Sequence, residues 1–107
     1  MRVLGVDPGT IKMGLGVVDS ISGDLMSPYH GVIAPRRKDP LENRLAHLFE
    51  ATKKVIEETQ PDVIAIEEPF VSKNPKTGIA IGQAQAVVFI AGAQKDIPVF
   101  RYAPQEV

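Results

Sequence analysis

The sequence predicts an α/β fold, a five-stranded mixed sheet of order βββαβαβ flanked by helices. Three observations carry that reading. Short apolar or alternating runs, separated by turn residues, fill residues 1–34. Asp39-Pro40 then opens a long stretch with helical spacing. The short apolar run Val63–Ile66 stands between that stretch and a second helical one, as strands do in crossover units.

Val3–Val6 reads as a short buried strand. Asp7-Pro8-Gly9 ends it, with Pro8 and Gly9 suited to the central positions of a type II turn. Met13–Ser20 alternates and reads as a second strand; Gly14 and Gly16 share one of its faces and leave it bare for a close approach. Ser20–Asp24 is a turn, and Leu25–Ala34 a third strand, which makes an antiparallel meander. Asp39 suits an N-cap and Pro40 the first helical position. Leu41, Leu45, Leu48, Phe49, Thr52, Val55 and Ile56 recur at helical spacing, and the helix should stop near Thr59, before Pro61. Val63–Ile66 has too many consecutive apolar residues for a half-exposed strand and suits a central one covered on both faces. A second helix runs from about Thr77, its N-cap, to Gln94. It is apolar nearly all round, and Gly78, Gly82 and Ala86 form one stripe of small residues. Pro98–Tyr102 is the last strand.

With 107 residues the chain reads as a single domain, residues 1–107. It has no cysteine, which excludes a disulfide framework and thiolate metal sites. Its two histidines, His30 and His47, lie far apart, so any metal is expected to sit among oxygen ligands, as Mg2+ or Mn2+ does. No apolar stretch approaches the roughly 20 residues of a membrane span, and the N-terminus is not a signal peptide, so the expected location is cytoplasmic. The net charge of −1 argues by itself against nucleic acid, but the cations are clustered. Arg36-Arg37-Lys38 is one group; Lys73 and Lys76 flank Asn74-Pro75.

The predicted order makes the first strand central and brings the fourth back beside it in parallel. Asp7 and Glu67 then lie at matching carboxyl ends of strands about 4.8 Å apart, the edge at which open α/β sheets bind ligands. Taken singly each has a plain explanation, since Asp before Pro-Gly is common in turns and a strand-end Glu is commonly solvated. Together they suit a divalent cation that clamps a phosphodiester. Glu68 competes with Glu67, but side chains alternate along a strand, and Glu67 directly follows the apolar run. The segment after them places Phe70, Lys73, Asn74, Lys76 and Thr77 close together. The lysines suit phosphates, and Phe70 suits either stacking on an unpaired base or burial under the loop. Arg36 and Arg37 are a weaker signal of the same kind, and His47 reads as a surface or boundary residue.

The stretches "GVDPGT", "IEEPFVSKNPKTGIAIGQAQAV" and "YAPQEV" resemble the RuvC family of bacterial Holliday-junction resolvases, from Met1 to Val107. The resemblance implies an RNase H-like fold and a homodimeric, Mg2+-dependent endonuclease that nicks two opposed strands of a four-way DNA junction, with Mn2+ able to substitute. It also implies the RuvA–RuvB branch-migration complex as a partner. Asp7 and Glu67 match the family's first two catalytic acids, Phe70 the aromatic near the junction centre, and the small-residue helix the dimer-forming one. The family carries further acids on a C-terminal helix. After Glu68 this chain has only Asp96 and Glu106 as acids, so the expectation is a truncated resolvase, lacking that helix and inert by itself. Two other classes fit parts of the pattern: an actin-like or sugar-kinase-like ATPase half-domain, with its similar first strand, and a non-catalytic DNA-binding or dimerisation module.

Overall fold

The structure, a computed structural model, describes residues 1–21, 24–68 and 75–103. Its elements follow the expected order: β1 (Arg2–Asp7), β2 (Met13–Ile21), β3 (Asp24–Ile33), α1 (Leu41–Thr59), β4 (Val63–Glu67), α2 (Pro75–Gln94) and β5 (Val99–Tyr102). The sheet runs β3-β2-β1-β4-β5, with β1 in the middle. β1, β2 and β3 form the antiparallel meander, while β4 pairs in parallel with β1 and β5 in parallel with β4.

The core lies on one face. Leu4 is paired with Val17 and Ile64, and Val6 with Leu15 and Ile66, so these side chains all leave the sheet on the same side. All six are buried there, against Leu48, Val55 and Ile56 of α1 and Ala84, Val88 and Ala91 of α2. Burying a side chain of this size contributes about 1.5–3 kcal/mol. α2 approaches β5 closely at Gly92, where a Cβ would lie 2.6 Å from a methyl of Val99.

Four local expectations are corrected. Among the described residues β4 is covered on one face, not two: Ile64 and Ile66 are buried, whereas Val63, Ala65 and Glu67 are only half-buried. The crossovers through α1 and α2 both carry the chain in the same direction across the sheet, and right-handed connections then place both helices on the same side. Gly9 does not take the left-handed backbone a type II turn requires; a glycine is needed there because a Cβ would lie 2.4 Å from the carbonyl oxygen of Lys12. Pro40, not Asp39, caps α1: its carbonyl accepts from the N–H groups of Asn43 and Arg44, while Asp39 pairs with Arg36 at 3.9 Å. α2 starts at Pro75, so Thr77 sits inside the first turn. The end of α1 falls as expected, with Gln60 in the left-handed conformation and its N–H bonded to Ile56.

One polar cluster anchors β1. Arg2 donates from Nε and Nη2 to both carboxylate oxygens of Asp19, at 2.7 and 2.8 Å, and from Nη1 to the Thr59 carbonyl. Its backbone N–H donates to Asp62 at 2.7 Å. The hydrogen bond from Arg2 holds the Asp19 carboxyl below the usual carboxylate range, and the same bond pushes the guanidinium higher. A carboxylate depressed in the folded state adds stability above its unfolded pKa, and that stability is lost as pH falls through the folded pKa. Asp19→Asn is therefore expected to lower stability at neutral pH and to flatten its decline in acid. Urea unfolding of both proteins near neutrality and at about pH 3 tests this; parallel acid profiles would show that the pair does not contribute.

Candidate active site at the carboxyl edge of the sheet

β1 and β4 are held in parallel register with Val6 opposite Ile66, so the next residues, Asp7 and Glu67, end their strands side by side. Alternation turns both side chains away from the helices. They line one open cavity of about 290 Å3 on the uncovered face of the sheet. Its floor is bare, as the spacing of Gly14 and Gly16 suggested: Gly14 pairs with Asp7 and Gly16 with Gly5. A Cβ at Gly14 would sit 3.6 Å from the Asp7 Cβ and fill the space beside the carboxylate.

Glu68 goes the other way. It lies 4.0 Å from the Arg101 guanidinium, which itself sits over the Phe89 ring of α2 at 5.5 Å. The Glu68 N–H donates to the Tyr102 carbonyl at 2.7 Å, which fixes the end of β4 against β5. Sequence reasoning missed two polar side chains of the carboxylate cavity, His30 and Tyr102. Tyr102 is paired with Glu67 and His30 with Gly16, so period-two counting across the sheet could have found both. Among the described residues no three His, Cys, Asp or Glu are grouped to hold a metal. The cavity thus offers two carboxylates, donors suited to a hard divalent cation.

A second cleft, about 470 Å3, opens where the loop after β1 meets the first turn of α2. Gly9, Thr10, Lys12, Arg37, Lys76 and Thr77 are among its lining residues. The structure thus joins Arg37, Lys76 and Thr77, and adds Lys12, an isolated lysine with no pattern around it to mark it. Arg36 does not line this cleft and faces Asp39 instead. Phe70, Lys73 and Asn74 lie outside the described residues. On α2, Gly82 and Ala86 are exposed and Gly78 is half-buried. A larger hollow, about 740 Å3, runs past Asn43, His47, Glu50 and Lys54; only residues of α1 line it, and it takes no part in the strand ends. No described helix is long and apolar enough to cross a membrane.

A family model described as crossover junction endodeoxyribonuclease RuvC matches residues 3–107. The chain is 42% identical over 107 residues to the crossover junction endodeoxyribonuclease RuvC of Thermotoga maritima, and it spans 64% of that relative's length. Among solved structures it superposes on T. thermophilus RuvC in complex with a Holliday junction substrate with a TM-score of 0.90. There the identity is 27%, over 97% of this chain and 64% of that one. The fold is accordingly RNase H-like. An exopolyphosphatase from Cytophaga hutchinsonii, 11% identical, matches with a TM-score of 0.62 over 96% of this chain and 34% of its own, a likeness of fold alone. The sequence match runs through both strand ends that carry the acids, and by it the chain belongs to the RuvC family of crossover junction endodeoxyribonucleases.

Proposed function

We propose that residues 1–107 form a single RNase H-like domain, part of a nuclease that acts on four-way DNA junctions. The reaction is paired, metal-dependent nicking of opposed strands in recombination and repair. The observation that carries this reading is the placement of Asp7 and Glu67, side by side at parallel strand ends and facing one cavity. The names of its relatives, and the junction substrate held by the T. thermophilus protein, support it. Asp7 and Glu67 fit Mg2+, with Mn2+ as substitute, because they offer oxygen donors above a floor kept clear by glycines. When bound, such an ion supplies Lewis-acid stabilisation of charge on the phosphoryl oxygens. The protein's own part is to hold the two carboxylates on rigid strands and to leave room at Gly14 for a sugar–phosphate backbone. Arg36, Arg37, Lys73, Asn74, Lys76 and Thr77 are the proposed DNA contacts, and Phe70 the aromatic that stacks at the opened centre. The cytoplasm is the proposed location and the RuvA–RuvB complex a proposed partner.

The test compares binding of a four-way junction with binding of a linear duplex of the same length. The junction is expected to bind tighter by about tenfold or more. Equal affinities would count against junction recognition, and ATP binding with no junction preference would favour the kinase-like reading.

A two-fold dimer through α2 belongs to the same proposal. Ile79, Gly82, Ala86, Ile90 and Ala93 follow one another at helical spacing along its outer side. Ile79 is 62% and Ile90 52% exposed, and nothing lies within 4 Å of a Cβ at Gly82, so a second helix can come close. Ile90→Asp is expected to shift sedimentation from dimer to monomer. A wild type that sediments as a monomer at high concentration would refute the dimer.

A further inference from the structure

We infer that Lys12 and Arg37 form a cradle for one backbone phosphate of the DNA strand being cut, and that they act as positioning residues for the scissile phosphate at Asp7 and Glu67. The inference rests on the junction-nuclease reading above. Three cations from three separate segments meet in the second cleft: Lys12 after β1, Arg37 before α1 and Lys76 at the start of α2. Among the described residues no Asp or Glu lines it. Elsewhere five basic side chains face an acid: Arg2 faces Asp19, Arg36 faces Asp39, Lys54 faces Glu58, Lys95 faces Glu57 and Arg101 faces Glu68, while Lys38, Arg44 and Lys53 do not line this cleft. Among the described residues Lys12 and Arg37 have no such partner. The like charges of Lys12 and Arg37, brought together with no described acid facing either, repel, and a polyanion removes that cost.

The cleft is also built, not incidental. The Thr10 side of the loop is buried, and the loop is closed so tightly that Gly9 has no room for a Cβ against the Lys12 carbonyl. Lys12 is thus carried on a backbone that starts from the catalytic edge. Gly9 lies two residues past Asp7, at most about 7 Å of chain. A DNA strand carries one phosphate about every 3.4 Å of helix axis. The cleft and the carboxylates are joined by one short loop at the carboxyl edge of the sheet, and in this proposal the strand cut at the carboxylates continues over that edge with its neighbouring phosphate in the cleft. A free phosphate would gain nothing from that continuity, so the ligand is the DNA backbone. Holding the neighbour sets the distance between the reacting phosphorus and the carboxylates, which is where small displacements cost rate.

The test uses the Lys12→Ala/Arg37→Ala double variant and titrates DNA binding over a range of salt. If both cations share one phosphate, the slope of log affinity against log salt falls in magnitude by about one. Affinity at low salt drops about tenfold, with the melting temperature unchanged. Lys12→Arg is expected to keep the wild-type slope. A neutral methylphosphonate placed beside the cut site should weaken the wild type to a similar degree and should not weaken the double variant further, since both changes remove the same contact. An unchanged slope, or losses that simply add, would overturn the cradle. The slope can be measured on linear duplex as well, so a wild type without junction preference would sink the proposed function while the cleft is still judged by its own result.

Discussion

An Asp7→Asn protein is expected to bind a four-way junction as the wild type does and to cut it on the order of 10³-fold more slowly. Asn keeps the volume of the side chain and removes one of the two negative charges that share the cavity with its bare glycine floor. Metal-assisted stabilisation of phosphoryl charge is worth several kcal/mol, and each ~1.4 kcal/mol is a factor of ten in rate. Affinity for DNA should hold or rise slightly, because a carboxylate near a phosphate repels it. Mn2+ affinity, read from the relaxation of water protons, should fall in parallel. Cleavage is measured in the full gene product with Mg2+ in excess. Glu67→Gln should behave alike. Glu68→Gln is the control and should keep its rate, since Glu68 faces Arg101 on the other side of the sheet. Near wild-type cutting by Asp7→Asn would remove Asp7 from the site.

The second large effect is expected at Gly9. A Cβ there would lie 2.4 Å from the Lys12 carbonyl oxygen, about 1 Å inside the closest ordinary carbon–oxygen contact. The obstacle is backbone, so no rotamer change relieves it, and the loop between β1 and β2 must open. Overpacking of this kind costs about 1–3 kcal/mol, against which the stiffer unfolded chain of an alanine variant returns about 0.4–1 kcal/mol. The collision wins, and Gly9→Ala should lower the melting temperature by roughly 4–8 °C per kcal/mol of net loss. The opened loop also carries Asp7 at one end and Lys12 at the other, so cutting should fall by about a hundredfold for a displacement near 1 Å. Gly82→Ala, with nothing within 4 Å, is the comparison and should leave the fold as stable as before or more so. A Gly9→Ala protein with unchanged melting and unchanged cutting would show that the loop relaxes freely.

The order of elements was legible because each break is chemical: Pro-Gly after β1, Pro61 after α1, and an apolar run bounded by polar residues at β4. The pairing of Asp7 with Glu67 followed from that order alone, since it needs only the neighbouring strands and their direction. Other features depend on where the chain goes in space. The apolar composition of Val63–Ile66 does not say which side the crossovers take, and Val63 and Ala65 face the open side. Arg36 and Arg37 are adjacent in sequence, yet one faces Asp39 and the other the cleft. Lys12 was invisible because a single lysine in a loop has no period and no partner in sequence. It joins the cleft only because the β1–β2 loop, the segment before α1 and the start of α2 converge.

The Arg101 contact with Glu68 also bears on how the sheet finds its alignment. β4 ends in two consecutive glutamates, and a shift of one residue against β1 would set Glu68, not Glu67, beside Asp7. Such a misaligned sheet would still present two acids at its edge, so the chemistry of the edge does little to select the correct pairing. Selection has to come from the other side. The shift would turn Ile64 and Ile66, both fully buried, out to water and bring Val63, Ala65 and the Glu67 carboxylate in against the helices. It would also separate Glu68 from a guanidinium already committed to the Phe89 ring. The side of β4 remote from the acids thereby fixes its alignment, chiefly through Ile64 and Ile66, with the half-exposed Glu68–Arg101 pair adding less. A loss of cutting on substitution at Arg101 or Phe89 should first be checked as a change in alignment.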